Sequence, residues 1–375
     1  MRDSAKRQTG ERSDEGALSI HGDPEPPAPR ETGSLEHRIR AQAYGLGFDL
    51  AGITTLGEVA TADSFERWLD RGYAGEMHYL PNRRAERRDT RVPYAGAVSA
   101  IVVAMDYGGR ESSGPVARYA RGDDYHDVMV DRLRELHRWL ERDLGRDVRG
   151  KAYVDTGPIL ERDLARKAGL GWFGKNTMLV NPRIGSFFFL GALLVELELE
   201  ADEPFEADRC GTCTRCIDAC PTGAIVAERE LDAMKCISYL TIELRGPIPV
   251  DLRAKVGELV YGCDICQDVC PWNVRFAREL PAESSYAPRH SLAGKDARQL
   301  ARDLLGMPQE EFSRAFSGSP MKRAKLRGLK RNAAVVLGNV GTTEDLDVLS
   351  RAREDPEPLV REHAAWAHAR LSSGR

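Results

Sequence analysis

Eight cysteines, Cys210, Cys213, Cys216, Cys220, Cys236, Cys263, Cys266 and Cys270, fall within one short stretch and nowhere else in the 375 residues. The first four read C-x2-C-x2-C-x3-C and are followed by Pro221. This is the spacing with which bacterial two-cluster proteins hold 4Fe–4S cubes. Three thiolates two residues apart can wrap successive corners of one cube, and the fourth, thrown onward, reaches the other cube. A second half-motif, Cys263-x2-Cys266-x3-Cys270-Pro271, has its leading cysteine displaced upstream to Cys236. The crossover rule predicts one cluster on Cys210, Cys213, Cys216 and Cys270, and a second on Cys220, Cys236, Cys263 and Cys266. Structural zinc also uses C-x2-C pairs, but has no need of two x3-C-P tails. A disulfide framework belongs to small exported chains.

Asp155 is the second candidate. It closes an apolar run, KAYVD, ahead of Thr156-Gly157-Pro158, where an acid at a strand's C-terminal end meets the ligand crevice of an α/β sheet. Apolar neighbours would raise its pKa toward that of a general acid. An acid before Thr-Gly-Pro suits a helix N-cap equally well, and the residues alone leave both readings open. Two nucleotide-like patterns fail on context. Gly169-Leu-Gly171-Trp-Phe-Gly174 fits G-x-G-x-x-G by letter and nearly fits a P-loop, with Asn176 where Ser or Thr is required. Both motifs need a strand before and a helix after, and here the order is reversed. Asp124-x-His126 begins a cobalamin-type D-x-H-x-x-G signature, but Met129 stands where glycine belongs; His126 is expected to begin a helix in a polar or substrate-facing role.

The elements that must position these groups read as α/β. Ser34 caps a helix carrying Leu35 and Ile39; residues 48–54 and 97–107 look like strands, the latter buried on both faces. Met129, Leu133, Leu136, Leu140 and Leu144 stripe a helix over 126–144. A helix over ILERDLARKA is expected to start at Pro158, and GKNTMLVN and GSFFFLGALLVELEL read as further strands. The expected domains are a disordered, proline-rich tail over 1–33, a catalytic domain over 34–200, the double-cluster domain over 201–285 and an all-helical module over 286–375. Net charge is −4 with 30% charged residues, so nucleic-acid contact would need a local patch. No run approaches a membrane span, and the N-terminus lacks an apolar signal core; a cytoplasmic protein with no membrane role is expected.

One combination of segments goes further. RYARGDDYH (118–126), VDTGP (154–158), ERDLARKAGLGWFGKNT (161–177), KCISYLTIE (235–243), CDICQDVCPWN (263–273) and GSPMKRAKLRGLKRNAAVVLGN (318–339) occur in order, and together they resemble epoxyqueuosine reductase over residues 35–375. The resemblance implies a monomeric cobalamin-dependent enzyme that reduces the epoxide of epoxyqueuosine at the tRNA wobble position to queuosine. It implies a catalytic domain similar to the corrinoid domain of reductive dehalogenases, a ferredoxin-like cluster domain and a HEAT-like tail. In its terms Asp155 is the proton donor; Arg88, Asp155, Met178, Leu190, Ser238, Gln267 and Asp268 contact cobalamin; and a flavodoxin- or ferredoxin-type donor supplies electrons.

The run KRAKLRGLKR (322–331) holds six cations and no acid. Lys322, Arg323, Lys325, Arg327, Lys330 and Arg331 are therefore expected to meet tRNA phosphates, with Leu326 and Leu329 anchoring the segment; a solvated basic face is the plainer account. Val360, Ala364, Ala367 and Leu371 form a helical stripe after an Asp-Pro start, and two visible repeats are too few to stand without packing on the cluster domain. A reductive dehalogenase, or an iron–sulfur carrier with no catalytic centre, are the competing readings, and bound cobalamin's visible bands would separate the carrier.

Overall fold

The computed structural model describes residues 33–111 and 113–374; the expected N-terminal tail lies outside the described residues. Four strands, β1 (Leu50–Thr55), β2 (Ser99–Asp106), β3 (Gly150–Tyr153) and β6 (Phe188–Val195), form a sheet in the order β1-β2-β6-β3. Two short strands, β4 (Trp172–Phe173) and β5 (Leu179–Val180), make a separate hairpin. Every pairing in the large sheet is antiparallel. The catalytic region is therefore α+β rather than a parallel α/β sheet, and the rule that places ligands at parallel strand ends does not govern it.

Alternation along β2 explains the layers. Ile101, Val103 and Met105 pack with Ile39 of the Leu35–Gly45 helix and with Met129, Leu133, Leu136 and Leu140 of the Tyr125–Leu144 helix. Ala100, Val102 and Ala104 face the other way, toward Ile159, Leu164 and Ala165 at the Glu161–Lys167 helix. A strand buried on both faces must be apolar throughout, as this one is. Gly145, at φ +63°, ends the long helix in the left-handed cap that glycine favours.

Between the two cysteine half-motifs the chain inserts residues 237–262, which carry the Ile237–Ile242 and Val250–Arg253 helices. Ile237, Leu240, Ile248, Leu252 and Val256 form a core that includes Val335 of the Lys325–Val340 helix. Polar contacts join the same surfaces. Asn332 donates to the Thr241 and Val260 carbonyls, Asn339 to those of Arg253 and Gly257, and the Ile248 amide donates to His363 Nε2. The insertion that displaces Cys236 is thus the platform on which the C-terminal helices dock. Tyr261 shares a core with Leu300, Leu304 and Leu329, and Gly33–Arg375 forms one compact unit.

Candidate active site and redox path

Asp155 lies two residues beyond β3 with φ +55°. The Glu161–Lys167 helix begins six residues later, with Leu160 at its N-cap position, so Asp155 caps no helix. The loop is tight: a Cβ at Gly157 would fall 2.2 Å from the Tyr153 ring. Left-handed backbone at a non-glycine residue costs energy and persists where the surroundings impose it.

The Asp155 side chain is 65% accessible, so its carboxylate is open to a ligand rather than packed in the core. Tyr125 Oη donates to Asp155 Oδ2 at 2.7 Å, and His126 Nε2 stands 3.5 Å from the same oxygen. His126 Nδ1 is held by Asp124 Oδ1 at 2.6 Å. Burial pushes the Asp155 carboxyl up, but hydrogen bonds from His126 and Tyr125 outweigh it and hold the pKa below the usual value. This reverses the expectation of a raised Asp155, because the neighbours are polar donors and not only apolar walls. For His126, burial works against the charge, and the Asp124 and Asp155 carboxylates carry its pKa up to about 9.

Two further groups were missed in the sequence. Glu161, at the first turn of its helix, has a buried Oε1 without a hydrogen-bond partner. Burial, then the charge on Asp155, pushes its pKa up to about 8, so at neutral pH it holds a proton beside a charged Asp155. Arg87 is buried and feels Glu161 and Tyr79. Nothing in the local sequence distinguishes Arg87 from Arg88; only helix phase does. Arg88 points outward, pairs with the exposed Asp63, and lines a cleft of about 440 Å³ with Thr90, Asp163 and Arg166. In that cleft Arg88 pairs with Asp63 and Arg166 with Glu206, while Asp163 accepts from Thr61 and Lys167 donates to the Thr55 carbonyl.

The loop before β5 links this site to the cysteines. Arg162, whose charge reaches Asp155, donates to the Thr177 carbonyl, and Thr177 itself has φ +69°. One residue earlier, Asn176 donates to the Cys266 carbonyl at 3.2 Å. The glycine pattern before this loop follows a helix and leads into the β4–β5 hairpin, so no phosphate-binding helix start is formed.

The thiols fall into two neighbourhoods. Burial raises the Cys270 and Cys216 thiols; Cys270 also feels Cys210 and Cys213, and Cys216 feels Cys270, Cys210 and Cys213. Burial raises Cys263 to about 12, with Cys236 and Cys220 as its cysteine neighbours. Cys266 lies well above its ordinary value for the same reason, next to Cys263 and Cys236, with Cys216 of the other group also in reach. Crowded, buried thiols cannot all ionise unless cations neutralise them, and that is the condition iron supplies. Among the described residues no three His, Cys, Asp or Glu side chains close on a single-ion site; one tetrahedral zinc would draw four sulfurs to about 2.3 Å from one point.

Family models match residues 209–273 as a 4Fe–4S double cluster binding domain and residues 87–156 as the epoxyqueuosine reductase QueG domain. The chain is 40% identical over 351 residues to an epoxyqueuosine reductase of Pseudomonas aeruginosa, covering 91% of this chain and 95% of that one. It belongs to the epoxyqueuosine reductase family. The Escherichia coli reductase is 39% identical, with 91% of this chain and 90% of that one covered. A solved epoxyqueuosine reductase bound to an epoxyqueuosine-modified tRNA-Tyr stem loop superposes at a TM-score of 0.80, with 31% identity over 90% of each chain.

The remaining expected contacts divide. β3 pairs only with Ala192–Val195 of β6, so the edge of β6 at Leu190 has no strand partner there, and Leu190 is its one partly accessible side chain. Met178 is partly accessible in the loop that carries Thr177, and Ser238 hydrogen-bonds the Cys236 thiol. Gln267 is buried and accepts from Ser186 Oγ at 2.9 Å, and Asp268 pairs with Arg118 at 2.7 Å and accepts from Ser113. These two side chains hold the half-motif loop in place.

The basic run is divided in the same way. Leu326 and Leu329 are buried, as expected for anchors. Lys322, Lys325 and Arg327 are exposed, and among the described residues none makes an ion pair. Arg323 pairs with Glu243 and lies over the Tyr79 ring at 5.4 Å, and Tyr79 in turn feels Asp155. Lys330 pairs with Asp355 at 2.9 Å where both are mostly buried. Arg331 is 1% exposed and donates to the Leu240, Leu244 and Gly246 carbonyls. The expected phosphate contacts of Lys330 and Arg331 are corrected: helix phase turns both inward, Arg331 onto the insertion's carbonyls and Lys330 onto Asp355 ahead of the last helix.

Proposed function

We propose that this protein reduces the epoxide of epoxyqueuosine in tRNA to the alkene of queuosine. The observation that carries this reading is the Asp155–His126–Tyr125 constellation with an accessible carboxylate. Protons are held on one side of it, the cysteine loops lie beyond Asn176, and Arg323, over Tyr79 and paired with Glu243, would face the RNA. Converting an epoxide to an alkene consumes two electrons and two protons and releases water. Protonated His126 supplies a proton that Asp155, charged at rest, passes to the opening oxygen, and Glu161 holds a second within electrostatic reach. A relative's structure with a modified tRNA stem loop supports the substrate class.

The eight cysteines would hold two 4Fe–4S clusters, in the crossed grouping of Cys210, Cys213, Cys216 and Cys270 against Cys220, Cys236, Cys263 and Cys266. Cobalamin would be held along the free β6 edge at Leu190, by the Met178 loop, Ser238 and Asp155, with Arg88, Gln267 and Asp268, engaged by Asp63, Ser186 and Arg118, as further expected contacts. When bound, it would supply a nucleophilic metal centre for opening the epoxide. Around it the protein's part is to orient the modified base, exclude water and move protons. Lys322, Lys325 and Arg327 would hold the RNA backbone, with the Ala297–Ser372 helices read as a HEAT-like module behind them. The protein is read as a cytoplasmic monomer that draws electrons from a flavodoxin- or ferredoxin-type donor. Among the described residues no helix is long and apolar enough to cross a membrane.

The test is anaerobic turnover of an epoxyqueuosine-bearing anticodon stem loop by the reduced protein, followed by mass spectrometry of the nucleoside. Loss of one oxygen is expected. An unchanged epoxide with both clusters and cobalamin loaded would overturn the reading.

A further inference from the structure

The Trp272–Phe276 segment leaves the second half-motif and runs along the surface beside Cys210. Val274 is 70% exposed, the most accessible of the large apolar side chains. On the other face of the same helix turn the Trp272 and Phe276 rings stack on each other at 5.7 Å, and Arg275 lies over Phe276 at 5.2 Å. Trp272 Nε1 donates to the Arg209 carbonyl, and the Arg209 guanidinium lies over Phe205 at 5.5 Å. These aromatics lead inward: Trp272 meets Trp172 edge to face at 5.0 Å, and Trp172 Nε1 reaches Cys210 Sγ at 3.4 Å.

The charges on this face are unusual for the molecule. Neighbouring Arg166, Arg229 and Arg278 pair with Glu206, Asp208 and Asp49. Arg209, Arg215 and Arg275 are exposed, and among the described residues no ion pair engages them. Of the acids beside them, Asp208 is neutralised by Arg229 and Asp218 is held by the Thr214 hydroxyl. Exposed Val274 with Arg275 next to it, and Arg209 tied to Trp272, put an apolar side chain and unpaired cations on the helix that leaves the second half-motif, in a chain whose net charge is −4.

We infer that this face docks a small acidic electron-carrier protein, which hands one electron at a time to the cluster beneath it. The inference rests on the proposed assignment of Cys210, Cys213, Cys216 and Cys270 to one cluster. In each encounter the carrier loses one electron and the cluster gains one, so two encounters supply the pair that the epoxide consumes. The other cluster lies on the Asn176 side, toward Asp155, so electrons enter at one cluster and leave by the other. The unpaired cations raise the encounter rate with an acidic carrier, and exposed Val274 fixes the docked pose.

The experiment follows bleaching of the cluster absorption in the full-length, anaerobically loaded protein, mixed either with reduced flavodoxin, an acidic carrier, or with dithionite. Arg209→Glu combined with Arg275→Glu, and separately Val274→Glu, should slow reduction by flavodoxin at least tenfold. The same changes should flatten its dependence on ionic strength between 50 and 300 mM, while dithionite reduction and iron content stay as in the parent. Arg146→Glu, an exposed position just past the Tyr125–Leu144 helix, should leave both rates unchanged. Flavodoxin rates in the Val274 and arginine variants equal to the parent's would overturn the docking face. So would failure of flavodoxin to reduce a parent protein that dithionite reduces. Clusters that accept electrons from neither source would instead overturn the redox reading beneath it. Should the double variant lose iron, Val274→Glu and Arg215→Glu, which leave Arg209 and Arg275 in place, decide the matter.

Discussion

Asp155 and Arg331 are both charged residues singled out by their sequence surroundings, and the fold gives them opposite work. Asp155 has 65% of its side chain accessible, and its partners, His126 and Tyr125, govern its proton without covering it. Arg331 is 1% exposed and has three backbone carbonyls from one insertion around its guanidinium. Burial lowers its pKa only to about 10, so it stays charged at neutral pH. A charge can act on a ligand only where the protein leaves its surface open. Once the carbonyl ends of a neighbouring helix enclose it, the same charge becomes a fastening.

The sharpest way to break this comparison is at Asp155. Asp155→Asn should lower turnover by about 10²-fold or more while both clusters remain; near-parental turnover would remove Asp155 from the chemistry. Because Asp124 and Asp155 keep His126 protonated up to about pH 9, parental turnover should fall as pH rises through that value. The fall should shift toward lower pH in Asp124→Asn, which removes one of the two charges.

Arg331→Ala should leave three carbonyls and a buried cleft without their donor, at a cost of about 3–5 kcal/mol. Chemical denaturation would read this as earlier loss of the C-terminal helices. Lys322→Ala, on the exposed side of the same run, should change stability by less than about 0.5 kcal/mol. A similar cost at both positions would erase the distinction drawn between them.

His363 tests the same docking surface by pH. It is fully buried, accepts from the Ile248 amide through Nε2 and donates to the Leu359 carbonyl through Nδ1, so the fold requires the neutral ring. Burial depresses its pKa from 6.5 to about 4. Between those values the unfolded chain binds the extra proton, so stability is lost as pH falls from about 6.5 toward 4. The loss amounts to about 3 kcal/mol, and it should be largely absent in His363→Gln.

The smaller effects concern RNA. Lys325→Glu with Arg327→Glu should weaken binding of a tRNA anticodon stem loop by about tenfold and reduce the slope of log affinity against log salt. Reduction of the free modified nucleoside should be affected much less. Smallest of all, Arg88→Ala removes an exposed pair with Asp63 and should change stability by less than about 1 kcal/mol.

Cysteine spacing, the apolar run of β2 and the Met129–Leu140 stripe were legible in the sequence because each obeys a local rule: metal-ligand reach, burial on two faces, and helical period. The chain order of the family's segments carried the reading of an epoxide reductase for the same reason, since contiguous motifs need no tertiary partner to be recognised. What only the tertiary structure decided is which of several like charges stands where. The antiparallel order of the sheet, the turn of Arg87 inward and Arg88 outward, the lowering of Asp155 by a histidine from another helix, and the enclosure of Lys330 and Arg331 all depend on long-range neighbours. Local sequence specifies what a side chain can do. Its pKa and accessibility are set by groups that arrive from elsewhere in the chain, such as the insertion ahead of Cys263 that gathers the C-terminal helices.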